Sequence, residues 1–279
     1  MEKDLSKIKL VVLDLDGTLL DETGNIGMKS LEFVKKLRDK GVKFTFASGR
    51  LHSAFMDYAS ELMLDNYLIS LDGALIKSYP KGEILFSSYL SKAHVLKCLT
   101  MSNKNLVRMA LCCEDSIKFT EDNSVIQDII DKFGAKYDEV KSYTPYLHSS
   151  LEALFVSEKK DKLNDIRDRL SFPYAFGLRC GISKSNSNEN IYIMEVRNSG
   201  NTKATGLKRL GKKLGVKIQE TAVVGDWYND LDLFKTEAIK VSLANAVSEI
   251  KFHSDIIMEK SNNEDGVGDF LEKIYYQKK

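Results

Sequence analysis

The stretch Ile8-Lys9-Leu10-Val11-Val12-Leu13-Asp14-Leu15-Asp16-Gly17-Thr18 is a short apolar run that ends in two carboxylates, a glycine and a hydroxyl. Four to six apolar residues bounded by a turn signal read as a strand buried on both faces, the kind found inside a parallel sheet. Two acids at the carboxyl end of such a strand sit where open α/β sheets bind their ligands. Spaced two residues apart, Asp14 and Asp16 can share one pocket, one as nucleophile or metal ligand and the other handling protons. Like charges that close raise the pKa of one of them, which suits Asp16 to acid work. Gly17 permits a sharp turn away. A calcium loop also opens D-x-D, but it needs glycine at its sixth position and glutamate at its twelfth, where this chain has Leu19 and Asn25. A pair of turn or capping aspartates is the competing structural reading.

Working outward, short apolar runs alternate with helix-period segments at both ends of the chain, which predicts βα units around a parallel sheet. Leu31, Val34 and Leu37 recur at helical spacing before Gly41; Val42 to Ala47 reads as the next strand; Phe55, Met56, Ala59, Leu62 and Met63 mark a second helix; Tyr67 to Leu71 reads as a third strand. Later, Ile191 to Val196, Ala222 to Val224, Ala238 to Leu243 and Asp255 to Met258 read as strands, with a helix carrying Leu207, Leu210 and Leu214. Between them, Leu85 to Tyr89, Leu106 to Cys112, Ser116 to Thr120 and Leu151 to Ser157 read as strands of a more antiparallel type. They alternate with helical stretches at 91–103, 122–133 and 158–170. The expectation is an α/β core, residues 1–82 and 189–279, interrupted by an α+β unit at 83–188, with the Ser- and Asn-rich tract Ser183 to Asn190 as return linker. Lys273 to Lys279 reads as a solvated helix end.

Three further constellations lie where a predicted strand or helix meets a loop. Ala47-Ser48-Gly49-Arg50 follows the second strand; its hydroxyl and backbone N–H groups can hold a phosphate oxygen, or Ser48 is a plain N-cap. Lys203 opens a helix, where a cation opposes the macrodipole unless an anion lies nearby; the alternative is a solvated surface lysine. Gly225-Asp226-Trp227-Tyr228-Asn229-Asp230 follows another strand and offers a carboxylate to a hard cation, or a helix cap. Trp227 reads as core or interface packing.

Composition removes other classes. The 279 residues carry 41 Lys and Arg against 40 Asp and Glu, so no global field draws nucleic acid or anionic membrane, and any anion must be held locally. No run approaches the roughly 18 apolar residues of a membrane span. Four cysteines show neither CxxC nor zinc spacing, and the start lacks a signal peptide, which points to a reducing cytoplasm. The four histidines share no spacing suited to a metal.

Taken in order, DLDGTLL, FASGR, Lys203 and GDWYND resemble the four motifs of the haloacid dehalogenase superfamily, and the insertion resembles the cap of the Cof-like subfamily IIB. The closing stretches Ser242 to Ala246 and Asn262 to Gly266 are similar to that subfamily too. The resemblance implies a Rossmann-like core with a parallel sheet plus an inserted α+β cap that governs substrate choice. It implies magnesium-dependent hydrolysis of a small phosphomonoester, a sugar phosphate or similar metabolite. In that scheme Asp14 is the nucleophile and forms an aspartyl-phosphate, Asp16 is the acid and then the base, and Mg2+ is held by Asp14, Asp226 and the backbone carbonyl of Asp16. Leu15, Ser48, Gly49, Lys203 and Asn229 bind phosphate or substrate, and Asp230 steadies the metal site from behind. A sugar phosphomutase on the same core and a non-catalytic phosphate-binding module are the alternatives; an intact Asp16 speaks against the latter. Asp72-Gly73-Ala74 departs from the Asn-Gly-Ala of many relatives, and Asn201-Thr202-Lys203-Ala204 from their Ser-Lys-Gly.

Overall fold

The computed structural model describes residues 3–120, 134–185 and 188–278. In chain order its strands are β1 Leu10–Leu13, β2 Lys43–Phe46, β3 Tyr67–Ser70, β4 Leu75–Ser78, β5 Ile84–Ser87, β6 Arg108–Cys112, β7 Ile117–Phe119, β8 Tyr137–Glu139, β9 Glu152–Ser157, β10 Leu178–Lys184, β11 Tyr192–Asn198, β12 Thr221–Val224, β13 Ile239–Ser242 and β14 Ile256–Ile257. The chain divides into two compact units, residues 1–49, 56–85 and 202–279 in one, and residues 50–55 and 86–201 in the other.

The first unit is α/β. Its five-stranded sheet runs β14-β13-β12-β1-β2 with every pairing parallel. All four residues of β1 are buried, as an apolar strand covered on both faces must be. Helices Met28–Asp39 and Gly266–Gln277 pack against each other. Asp265 ties them together: its carboxylate accepts the backbone N–H groups of Lys29 (2.8 Å), Ser30 (3.0 Å) and Gly268 (3.1 Å), serving the first turn of both helices. The expected third strand, β3, forms no full ladder with the main sheet. It meets β2 through a parallel bridge between Ala47 and Ile69 and through the Thr45 hydroxyl, which donates to the Tyr67 carbonyl at 2.7 Å, while its full partner is β4, antiparallel, in a three-stranded sheet with β5.

The second unit is α+β, a six-stranded sheet in the order β10-β11-β9-β6-β7-β8. Helices Lys92–Asn105 and Lys160–Arg169 supply Val95, Cys98, Leu163 and Ile166 to its core, where they meet Leu111, Phe155, Met194 and Val196. On the opposite side of the strands, the buried Arg197 guanidinium lies between Glu152 and Glu195, the latter at 2.6 Å.

Several expectations change here. The strand expected over Ile191 to Val196 is not a core strand: β11 pairs antiparallel with both β9 and β10. The second crossing between units therefore falls at 201–202 rather than 188–189, and the expected linker begins inside β10. The apolar residues Ile193, Met194 and Val196 mark β11 as a covered strand but carry no information about its neighbours. The second helix is a 3-10 turn at His52–Phe55 followed by the short helix Met56–Glu61. The C-terminal stretch is the helix end expected, running to Gln277 with Lys273 and Tyr276 exposed, but it also buries Ile274. The helical stretch expected at 122–133 lies outside the described residues.

Candidate active site

Three parallel strands deliver three motifs side by side. Because β1 lies between β12 and β2, with Leu13 level with Val224 and Phe46, the residues that follow these strands, Asp14 at the next position and Asp226 and Ser48 one further, emerge together at the carboxyl edge of the sheet. The start of helix Lys203–Leu214 closes the group. Thr202 caps that helix in a reciprocal pair with Thr205, and Gly73 lets it approach. Gly73 has φ +91°, and a Cβ there would stand 2.4 Å from the Thr202 carbonyl oxygen. No side chain fits between that turn and the start of the helix.

Lys203 is fully buried and bridges two acids, its Nζ 2.7 Å from Asp14 Oδ1 and 2.7 Å from Asp230 Oδ1. The surface reading of this lysine is thereby excluded. Asp230 is completely occupied by structure: its other oxygen accepts the backbone N–H groups of Asp226 (3.1 Å) and Trp227 (3.3 Å), folding the loop back on itself. Asp226 Oδ1 accepts the Thr18 hydroxyl at 2.9 Å. Carboxylate oxygens of Asp14, Asp226 and Asp230 lie within 4.8 Å of one another.

The charge balance of this cluster is uneven. Three carboxylates face one ammonium, leaving a surplus of two negative charges in a buried place. Burial opposes the charge on Lys203, but Asp14, Asp230 and Asp72 outweigh it and hold the ammonium above the ordinary lysine range. Burial pushes the Asp14 carboxyl well above the usual carboxylate range; Lys203 pulls it back, and Asp230 and Asp226 push it up again. Asp226 is pushed up to about 6, first by burial and then by Asp230. A divalent cation would supply the missing charge, and an all-oxygen donor set suits a hard one. Gly17 belongs to the same cradle: its φ is +73°, and a Cβ would land 2.4 Å from Asp226 Oδ2. The residues fit magnesium.

The remaining expected residues are placed as follows. Asp16 is exposed and stands outside the ion-paired cluster, although its charge is felt at Asp226. Leu15 is buried within the turn, where its carbonyl accepts the N–H groups of Thr18 and Leu20. Ser48 is buried, but it is not an N-cap, because the turn that follows begins only at His52; its own N–H is spent on the Ile69 carbonyl. The amide that seemed free for phosphate is therefore committed to β3. Asn229 Nδ2 donates to Asp72 Oδ1 at 3.3 Å, and Gly49 lies against the same carboxylate oxygen. Trp227 is half-exposed, edge-on to Tyr228, rather than core packing.

Sequence reasoning missed Thr18 and Asn245. Thr18 stands in the first motif, but nothing in the pattern says that its hydroxyl reaches a residue 208 positions away. Asn245 Nδ2 donates to the Gly17 carbonyl at 2.7 Å.

Comparison with known proteins agrees with this geometry. A family model for haloacid dehalogenase-like hydrolases matches residues 11–271. The chain is 25% identical to the 5-amino-6-(5-phospho-D-ribitylamino)uracil phosphatase YcsE of Bacillus subtilis, over 93% of each protein. It superposes on a haloacid dehalogenase-like hydrolase from Bacteroides thetaiotaomicron with a TM-score of 0.85, at 24% identity and covering 96% of this chain and 99% of the other. For the subclass IIB sugar phosphatase BT4131 the TM-score is 0.75, at 21% identity over 95% and 98% of the two chains. With the match running from the first residues of β1 into the last helix, the chain belongs to the haloacid dehalogenase-like hydrolases, in the Cof-like subfamily IIB, and is an enzyme.

Proposed function

We propose that this enzyme hydrolyses a small phosphomonoester, a sugar phosphate or similar metabolite, through an aspartyl-phosphate on Asp14. The observation that carries the reading is the convergence of Asp14, Asp226 and Lys203 on one buried spot with two negative charges in surplus. A site that must bring a carboxylate up to a phosphate dianion needs countercharge beyond one lysine.

Asp14, Asp226 and the Asp16 backbone carbonyl would hold magnesium, which when bound supplies positive charge to the phosphoryl oxygens. Lys203 neutralises a second edge of the phosphoryl group and keeps Asp14 oriented. Leu15, Ser48 and Gly49 line the phosphoryl site, and Asn229 orients the phosphoryl or the substrate. Asp230 touches no substrate; it holds Lys203 and the Asp226 loop. In the first half-reaction an Asp14 oxygen bonds to phosphorus, the ester P–O bond breaks, and the leaving alkoxide takes the Asp16 proton. In the second, Asp16 takes a proton from water, the water oxygen bonds to phosphorus, and the bond to Asp14 breaks to release inorganic phosphate.

The relatives support the substrate class, since BT4131 is a sugar phosphatase and YcsE acts on a phosphorylated ribitylamine. Free cysteines at 98, 112, 113 and 180 are in keeping with a reducing cytoplasm. No helix among the described residues is long and apolar enough to cross a membrane. The test is a phosphate-release screen of phosphorylated metabolites with magnesium and with a chelator. Magnesium-dependent release from at least one monoester is expected, and binding of phosphate mimics without any turnover would overturn the reading.

A further inference from the structure

The turn that directly follows Asp16, Gly17 to Leu20, is held at both ends by a hydrogen-bonded ring built from two asparagines. Asn245 Nδ2 donates to the Gly17 carbonyl at 2.7 Å, and its Oδ1 accepts the Asn262 backbone N–H at 3.1 Å. Asn262 Nδ2 then donates to the Leu20 carbonyl at 2.9 Å. Both asparagines come from the closing stretches that resemble the subfamily but have no part in the chemistry above. Each side chain uses its donor on the turn, and Asn245 also uses its acceptor on Asn262, so the amide orientations are fixed by their partners.

Asp16 is exposed and stands at the turn spanned by the bridge between Asp16 and Leu20, directly before the first clamped carbonyl. Gly17, the next residue, is in the left-handed region, where the backbone has the widest freedom to move. A proton donor works only within hydrogen-bond reach of the leaving oxygen, and a displacement of roughly 1 Å costs about a hundredfold.

We propose that Asn245 and Asn262 are positioning residues for the Asp16 general acid, acting through the Gly17 and Leu20 carbonyls. This rests on the phosphatase reading and on the acid role of Asp16. Neither asparagine is buried, so removing either amide leaves the core intact.

The test uses leaving groups. Nitrophenolate departs without a proton, whereas a sugar or glycerol alkoxide does not, so in the first half-reaction a misplaced acid is read only with the second kind. The second half-reaction, common to both esters, uses Asp16 as base and is kept out of the reading by following a single turnover of leaving-group release. The single-turnover release of nitrophenolate from p-nitrophenyl phosphate is compared with that of the alcohol from the fastest substrate among glucose 6-phosphate, ribose 5-phosphate and glycerol 3-phosphate. The proteins are the full chain, Asn245→Ala, Asn262→Ala, the double variant and Asp16→Asn. The single-turnover rate of alcohol release from the alkyl ester is expected to fall by about tenfold or more in each asparagine variant, with that of nitrophenolate release changed by less than about threefold. The double variant should be no worse than the single ones, because either break opens the same ring. Equal loss on both substrates, or no loss on either, overturns the assignment while Asp16→Asn still shows the leaving-group contrast. If Asp16→Asn lacks that contrast, or the unaltered enzyme turns over none of these esters, the functional reading falls and takes the assignment with it.

Discussion

Lys203 Nζ lies 2.7 Å from Asp14 Oδ1, although 189 residues separate the two in the chain. The contact joins the first strand to the start of a helix in the last third of the sequence, and it is shared with Asp230 at the same distance. Replacing Lys203 by methionine keeps the stem and removes the charge, leaving Asp14 and Asp230 buried without a cation. Breaking a buried pair this way costs about 3–5 kcal/mol. The Lys203→Met variant should therefore unfold at clearly lower urea in chelator and recover part of the loss with magnesium. Unchanged midpoints would mean that the bridge contributes nothing to the fold.

Asp14→Asn should abolish chemistry without abolishing the fold. The amide retains an oxygen for Lys203 but cannot attack phosphorus, and loss of a covalent nucleophile costs on the order of a thousandfold or more in kcat. Phosphate-release kinetics at saturating substrate check this. Residual turnover within tenfold of the parent would mean that another residue is the nucleophile.

Gly17→Ala should damage metal binding before it damages the fold. At φ +73° an alanine is strained, and its Cβ would stand 2.4 Å from Asp226 Oδ2, so the carboxylate must swing away from the turn. About 1–3 kcal/mol of stability should be lost. The concentration of magnesium needed for half-maximal activity should rise by at least tenfold, as read from a metal titration of turnover.

The strands around the site were legible because burial on both faces leaves an unbroken apolar signature, as in Leu10–Leu13, and because each ended in an acid or a hydroxyl. Lys203 was legible as an unfavourable cation at a helix start, a local conflict that only a distant anion resolves. What stayed hidden depends on pairing. The antiparallel partners of Tyr192–Asn198 in the strands Glu152–Ser157 and Leu178–Lys184, and the reach of Thr18 to Asp226 across 208 positions, follow from strand pairing and tertiary placement, which no local pattern encodes. Ser48 shows the converse: its N–H looked available because the bridge between Ala47 and Ile69 has no sequence mark.

Asp265 should matter to stability alone. Its carboxylate serves the backbone of Lys29, Ser30 and Gly268 and the Ser30 hydroxyl, and a single N-cap loss costs about 1 kcal/mol, so two helix starts cost about 2 kcal/mol or more. Asp265→Ala should lower the melting temperature by several degrees while kcat at 25 °C is kept. Asp265→Asn should fall between, because one oxygen remains and asparagine tolerates the left-handed backbone at φ +57°. A fall in kcat at full folding would show that the cap also shapes the site.

The raised pKa of Asp226 gives the site a pH signature of definite sign. Its carboxyl titrates at about 6 in the fold against an ordinary 3.8, so between those values the folded chain binds more protons than the unfolded one. Stability from this group is therefore present at low pH and lost as pH rises towards 6, amounting to about 3 kcal/mol. Without metal, Asp226→Asn should be more stable than the parent at pH 7.5, and the gap should shrink as pH falls from 6 towards 4. Magnesium reverses the order, because it binds the charged carboxylate and must displace the proton below pH 6. Its half-saturating concentration should rise up to about tenfold for each pH unit lost there, and it should stabilise the parent far more than the variant. Thermal melts with magnesium and with chelator at pH 5 and pH 7.5 read both effects. A magnesium shift that is equal at the two pH values would separate Asp226 from the metal and leave its raised pKa to burial alone.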